Sequence, residues 1–446
     1  MKPVVYSLRE KGFLSVVYLD DFLLIASSYN QCLENIYATT SLLTSLGFLI
    51  NSSKSVLTPA KICRFLGFIF DTSSFSVSIP LDKRAKLLKS TLTILKKRSC
   101  KIRLLASYIG SLISVCPAVQ YGILHTKVLE REKFLALSVA DGDYEAEMTL
   151  PHAIREDLLW WREVFEDTAQ RNVIRSGRFQ LEIFTDASLT GWGAVCNGVR
   201  THGFWAPEEK RHPINYLELL AVFHALRCFA PHSTNCDILL RVDNKSALSY
   251  VNRMGSIRFP HLSNLAREIW CWCADRNIFI YASYIPSAQN VEADAESRVV
   301  SVETEWSLEQ SYFEKIHSHF GPFDIDLFAS SINAKYPCFV SWLPDPLAQA
   351  VDAFSLDWSK SYFYAFPPFI LILKVIRKII TDKAEGVVVV PWWPTQPWFL
   401  LFNRLVTHQP ICFEPDIKML TSPFRENHSA WRKISLVAAR LSAKHF

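Results

Sequence analysis

Four acids carry the most specific chemistry in this sequence. Asp186 closes the alternating stretch LEIFTD, Glu218 lies in NYLELLAVFHAL, Asp243 closes DILLRVD, and Asp294 opens NVEADAESR. Their order is strand-end acid, helix acid, strand-end acid, helix-start acid. Carboxylates delivered in this way can converge on one point and hold Mg²⁺, a hard cation that prefers oxygen ligands. Two such ions about 3.5–4 Å apart stabilise the attacking and leaving oxygens of a phosphodiester during hydrolysis. Any one of these acids taken alone reads more simply as a solvated residue, and Asp294 as a helix N-terminal acid. The signal is the set. A second feature is Asp20–Asp21 within LSVVYLDDFLLIA, between two apolar strands. A bare DD pair would be a turn in most proteins.

The elements that must position these groups follow from periodicity. Residues 14–26 read as two strands around Asp20–Asp21, 29–47 as a helix ending at Gly47, 64–70 as one strand, and 82–165 as mostly helical. From 179 the pattern changes to strands at 179–186, 191–196 and 201–205, a helix at 215–229 and a strand at 237–242. Helices near 245–252 and 261–275, a strand at 278–285 and a helix from about 291 complete it. Hairpins first and strand–helix alternation afterwards predict a mixed sheet with helices against it. Residues 301–320 read as a linker with a helical stretch. YFYAF (362–366), a helix at 370–381 and VVVV (387–390) form a βαβ unit, hence a parallel pair.

FTDAS, LELLA, VDN and the closing AD resemble the RNase H family over about 120 residues. The resemblance implies Mg-dependent endonucleolytic cleavage of RNA in RNA–DNA hybrids. Asp186, Glu218, Asp243 and Asp294 would be both the catalytic residues and the ligands of two Mg²⁺ ions. It also implies that Asn215 and Asn244 contact the hybrid in its minor groove, where 2′-hydroxyls are displayed. A capping or turn role for either Asn stays open beside this. Many family members carry a His in the loop before the last Asp, and IPSAQNVEA (285–293) has none.

Tyr18-Leu19-Asp20-Asp21 resembles the YxDD hairpin of reverse transcriptases, with SLGFLINSSKS (45–55) and FLGFIF (65–70) following at palm-like positions. A thumb on template–primer would then be the basic stretch Lys83, Arg84, Lys86, Lys89, Lys96, Lys97, Arg98, Lys101 and Arg103. On charge alone, phosphate contact and a solvated helix face are equal readings. The family needs a third catalytic Asp on an earlier palm strand. This sequence starts just before YLDD, and Asp71 and Asp82 lie downstream, so a truncated polymerase without activity of its own is expected. Further on, AFPPF resembles the Pro-Pro-aromatic loop of adenine-N6 DNA methyltransferases, where an Asn or Asp accepts from the base amine and the aromatic stacks on it. Phe366 stands in the acceptor's place, which implies an inactive unit. Asp326 and Asp352 are open between nucleoside contact and turn roles. DLFAS, VSWLPDP, DAFSLDW, AFPPF and PWWPTQPW extend the resemblance to polyproteins of DIRS-type, tyrosine-recombinase retrotransposons.

The expected fold class is multi-domain α/β. A partial palm (1–80) is followed by a helical thumb or connection (81–170) and an RNase H-like mixed sheet (178–300). A Rossmann-like methyltransferase-type unit (321–425) and a helical tail (426–446) follow. Composition agrees: 446 residues, 50% hydrophobic and 20% charged, with a net charge of +5, are globular values. The eleven cysteines include no CxxC pair and no zinc spacing. Lys2, Arg9, Glu10 and Lys11 interrupt any signal-peptide core. The longest apolar run, Tyr362 to Leu373, is shorter than the roughly 20 residues of a membrane span. A soluble, intracellular protein is expected. The alternative to an enzyme is an inactive remnant that only binds nucleic acid.

Overall fold

The computed structural model describes residues 1–299, 306–422, 428 and 431–444. The chain divides into two compact units, Met1–Gly177 and Arg178–Phe446.

The first unit opens with α1 (Lys2–Glu10), β1 (Leu14–Tyr18), β2 (Asp21–Ile25) and α2 (Tyr29–Ser45). Strands β1 and β2 form an antiparallel hairpin in which Tyr18 faces Asp21, and Leu19 adopts a left-handed φ of 53° in the turn. Ser28 caps α2 by accepting from the Gln31 N–H at 3.3 Å. Past the helix end Gly47, at φ 83°, reverses the chain, the conformation that glycine adopts without a Cβ clash. The stretch read as one strand is instead two, β3 (Ile62–Phe65) and β4 (Phe68–Asp71), joined through Leu66 and Gly67 at φ 48° and 77°. Apolar RFLGFIF hides this turn because only the glycine marks it. With β5 (Ser76–Ser78) and β8 (Asn172–Val173), these form a four-stranded antiparallel sheet.

Four helices follow as expected, α3 (Leu81–Leu95), α4 (Ile102–Ile113), α5 (Lys127–Val139) and α6 (Arg155–Glu166). A short ladder of β6 (Ser99–Lys101) and β7 (Glu147–Thr149) ties them. Leu105, Ile109, Leu112, Trp161 and Phe165 lie at the centre of their core.

In the second unit β9 (Leu181–Ala187), β10 (Gly191–Cys196), β11 (Val199–Phe204), β12 (Asp237–Val242) and β13 (Phe279–Tyr284) form one sheet of order β11-β10-β9-β12-β13. The β11/β10 and β10/β9 pairs are antiparallel, and the β9/β12 and β12/β13 pairs are parallel. This is the expected mixed sheet. Helices α7 (Ile214–Phe229), α8 (Lys245–Asn252), α9 (Pro260–Ala274) and α10 (Val291–Ser297) pack against it. Helix α7 is buried nearly all round, through Leu217, Glu218, Leu219, Leu220, Ala221, Val222 and Phe223.

The remaining elements are β14 (Ser307–Leu308), α11 (Gln310–Phe320), β15 (Ile325–Asp326), β16 (Val340–Ser341), β17 (Ala350–Val351), β18 (Phe363–Ala365), α12 (Ile372–Asp382), β19 (Glu385–Pro391), α13 (Phe399–Leu405), β20 (Ile411–Phe413), β21 (Leu420–Thr421) and β22 (Leu436–Ser442). A second five-stranded sheet has the order β15-β18-β19-β22-β20. Strand β18, helix α12 and strand β19 form the expected parallel βαβ unit. The residues of β19 from Val387 to Val390 are fully buried, as in a sheet covered on both faces.

Two expectations about this region are corrected. The tail at 426–446 is not helical where it is described, because Leu436–Ser442 is a strand between β19 and β20, antiparallel to both. Leu, Ala and Arg favour helices, but the buried ladder overrides that weak preference. The unit also starts before residue 321. Phe313, Ile316 and Phe320 of α11 pack in one cluster with Tyr364, Val387 and Val389, so the supposed linker helix belongs to this sheet. Among the described residues no helix is long and apolar enough to cross a membrane.

Candidate active site

The two central strands of the first sheet in this unit, β9 and β12, run parallel, so Asp186 near the end of one and Asp243 just past the other emerge at the same edge. Helix α7 crosses β9 and brings Glu218 to that edge. One oxygen from each of Asp186, Glu218 and Asp243 lies within 4.8 Å of the others. Among the described residues this is the only group of three or more potential ligands drawn so close. Asp186 and Glu218 are 4% and 6% exposed, so their charges are poorly hydrated.

The electrostatics reflect that crowding. Burial, and then the neighbouring Asp186 and Asp243 charges, push the Glu218 carboxyl up to about 9, against a lowering by the Ala187 N–H. Burial pushes Asp186 up to about 6; the Ser297 hydroxyl opposes this, while Asp243 and Asp294 add to it. Three hard oxygen donors with no cation of their own among them suit a divalent metal.

Asp294, in the first turn of α10, is not within the tight trio. Its Oδ1 accepts from Arg298 Nε at 3.0 Å and Nη2 at 2.7 Å, one helical turn on. It is near enough to raise Asp186 electrostatically. Asn244 has a local role: its Oδ1 accepts from the Ser246 and Ala247 N–H groups and caps α8. Its amide donates to Asn215 Oδ1 at 3.0 Å, joining the two asparagines into one pair.

Several residues that hold the acids were not singled out in the sequence. Ser297 Oγ donates to Asp186 Oδ2 at 2.6 Å, and Ser287 Oγ donates to Asp243 Oδ2 at 2.6 Å. The Asn290 amide donates to the Thr185 carbonyl at 3.0 Å, joining the start of α10 to β9. Only Ser297 carried a signal: it stands three residues after Asp294, on the same helix face. Gly193 permits the close approach of α10 to β10. A Cβ there would lie 2.4 Å from both the Ala293 carbonyl oxygen and the Ser297 nitrogen.

Elsewhere, Asp20 lies in the turn of the β1–β2 hairpin and Asp21 begins β2, as expected. Within the basic stretch Arg84 is corrected from phosphate contact to a buried strut. It is 3% exposed, and its guanidinium donates to the carbonyls of Val164 at 2.6 Å and Gln170 at 3.1 Å. Lys101 and Arg103 pair with Glu145, while Lys86, Lys89, Lys96, Lys97 and Arg98 are exposed. Asp352 accepts from the Phe354 N–H at 3.0 Å, a turn role. Asp326 is buried, its carboxyl pushed up to about 6 by burial, and accepts from the Lys335 N–H at 3.0 Å. The Phe366-Pro367-Pro368-Phe369 loop follows β18 and borders a cavity of about 1220 Å³, with Phe204 and Trp205 also lining it.

No family model matches the chain. It is 30% identical over 290 residues to Protein P of gibbon hepatitis B virus subtype ayw3q (isolate Hope), a match covering 64% of this chain. The chain spans 30% of that relative's length. Among solved structures, the foamy viral protease-reverse transcriptase in complex with RNA/DNA hybrid aligns at 15% identity and a TM-score of 0.34. That alignment covers 69% of this chain and 41% of the other. RNase H1 of the halophilic archaeon Halobacterium salinarum NRC-1 aligns at 20% identity and a TM-score of 0.22, over 26% of this chain and 92% of its own.

Proposed function

We propose that this chain is a reverse transcriptase/RNase H segment of a retroelement polyprotein of the DIRS type. Its activity is endonucleolytic cleavage of the RNA strand of RNA–DNA hybrids by the domain at 178–300. The observation that carries this reading is the convergence of Asp186, Glu218 and Asp243, from two parallel strands and a helix, within 4.8 Å. The sequence similarity to a hepatitis B virus Protein P supports the viral or retroelement setting.

Asp186, Glu218 and Asp243 would hold Mg²⁺, with Asp294 completing the set from α10. Two bound ions would supply charge stabilisation to the attacking and leaving oxygens of the phosphodiester. The chain's own part is preorganisation. Ser297 and Ser287 each fix one carboxylate by a hydroxyl donor, so little reorientation is needed when phosphate arrives. In this reading Asn215 and Asn244, whose side chains are hydrogen-bonded to each other, contact 2′-hydroxyls in the minor groove of the hybrid. The exposed lysines of α3 and the segment after it serve template–primer backbone contact. The hairpin of Asp20 and Asp21 is a polymerase feature without a third acid grouped beside it among the described residues, and the unit around Phe366 transfers no methyl group.

The test is cleavage of an end-labelled RNA–DNA hybrid by the purified chain with and without Mg²⁺. Cleavage only with Mg²⁺ is expected. Asp186→Asn should lower the rate by at least ~10²-fold, the scale of deleting one preorganised electrostatic contact, with hybrid binding largely kept. Binding of the hybrid with no cleavage at any Mg²⁺ concentration would identify an inactive nucleic-acid-binding remnant instead.

A further inference from the structure

Ser297 touches both ends of the acidic cluster. Its hydroxyl lies 2.6 Å from Asp186 Oδ2 and 2.9 Å from the backbone carbonyl of Asp294. One hydroxyl proton serves one strong acceptor, and a carboxylate outcompetes a carbonyl for it. Ser297 is 1% exposed, so water does not compete for that proton. The serine is itself held in place. Ser188 Oγ donates to the Ser297 carbonyl at 2.6 Å, and Trp205 Nε1 donates to the Ser188 carbonyl at 2.8 Å. Gly193 leaves no gap beneath it, since a Cβ there would meet the Ser297 nitrogen at 2.4 Å. Trp205, Ser188 and Ser297 thus form a buried relay from the edge of the sheet to one oxygen of Asp186.

We propose that Ser297 is a positioning residue for the metal site: it holds Asp186 Oδ2 and stops the carboxylate rotating, so that the site is shaped before a cation enters. This rests on the nuclease reading. A hydrogen-bond partner of a metal ligand commonly sets affinity by 10–100-fold, and here the serine is on the helix that carries Asp294, so its bond to Asp186 ties that helix to the strand end.

The test is Mg²⁺ binding to the full chain without substrate, by isothermal titration calorimetry, together with the thermal midpoint in EDTA. Ser297→Ala should weaken Mg²⁺ binding by roughly 10-fold or more. Ser297→Cys, of similar volume but a weak donor, should fall between. Both should stay folded in EDTA, with the midpoint lowered only as far as one lost buried hydrogen bond allows. Equal Mg²⁺ affinity in the three proteins would overturn the proposal while leaving the nuclease reading intact. A natural chain that binds no Mg²⁺ would overturn both. If Ser297→Ala does not fold, folded Ser297→Cys decides the matter: unchanged affinity overturns the role, and weakened affinity supports it.

Discussion

Burial first, and then neighbouring charges (Asp186 and Asp243 on Glu218, Asp243 and Asp294 on Asp186), raise these two acids above their ordinary range, and this makes stability depend on pH in a defined direction. The unfolded chain releases these protons near the ordinary values of 4.5 and 3.8, whereas the fold retains them up to about 9 and about 6. Between those limits the folded state binds more protons than the unfolded one. Metal-free stability is therefore fully present below the lower limits and is lost as pH rises through the upper ones. The thermal midpoint in EDTA should fall from pH 5 to pH 9, and saturating Mg²⁺ should remove much of that slope. A midpoint in EDTA that rises over this range would contradict the site's electrostatics. The acids were legible in the sequence because each sits at a strand end or inside a helix of clear periodicity. Ser287 and Asn290 were not, because a serine or asparagine in a loop looks the same whether or not it bonds to a buried group.

At the scale of elements, the placement of α10 depends on an absent side chain. Gly193→Ala would drive a methyl against the Ala293 carbonyl oxygen and the Ser297 nitrogen, both backbone atoms. Overpacking of this kind costs roughly 1–3 kcal/mol, and the displaced helix would take Asp294 and Ser297 with it. Chemical denaturation should show that loss, and hybrid cleavage should fall by more than the stability change alone predicts. Strand β22 gives a second test. Ala439 is fully buried opposite Val388. Ala439→Asp should cost about 4 kcal/mol or more by burying an unpaired charge, whereas a dispensable surface tail would tolerate it; limited proteolysis distinguishes the two. Most elements around the three converging acids fell where periodicity put them. The misreadings have different causes. RFLGFIF turns within an apolar run and pairs with itself through Leu66 and Gly67, so its periodicity looks unbroken. LVAARLS has helix-forming residues, and pairing with strands distant in sequence decided its conformation.

Over the whole molecule, the division at Gly177 and Arg178 leaves the hairpin, the four-stranded sheet and helices α1 to α6 in the first unit and the two five-stranded sheets in the second. The three converging acids, the serines that hold them and α10 all lie in the second unit. Arg178–Phe446 produced alone should therefore cleave an RNA–DNA hybrid with the same Mg²⁺ requirement as the full chain. Its affinity should be lower if the exposed lysines of the first unit meet the nucleic-acid backbone as proposed, and that contribution should fade with salt. Cleavage assays at two ionic strengths would check this: the difference in KM between the two proteins should shrink at high salt. Equal KM at low salt would show that the first unit contributes nothing to the hybrid.

The position of β22 also governs the order in which the chain can be completed during synthesis. Strands β15, β18 and β19 leave the ribosome first, yet β20 can join them only across β22, which is made last of the five. Until residues 436–442 emerge, the run of four valines in β19 presents one unpaired apolar edge. Such an edge recruits other chains. A nascent chain stalled before Leu436 thus carries an unpaired apolar edge that the finished fold covers.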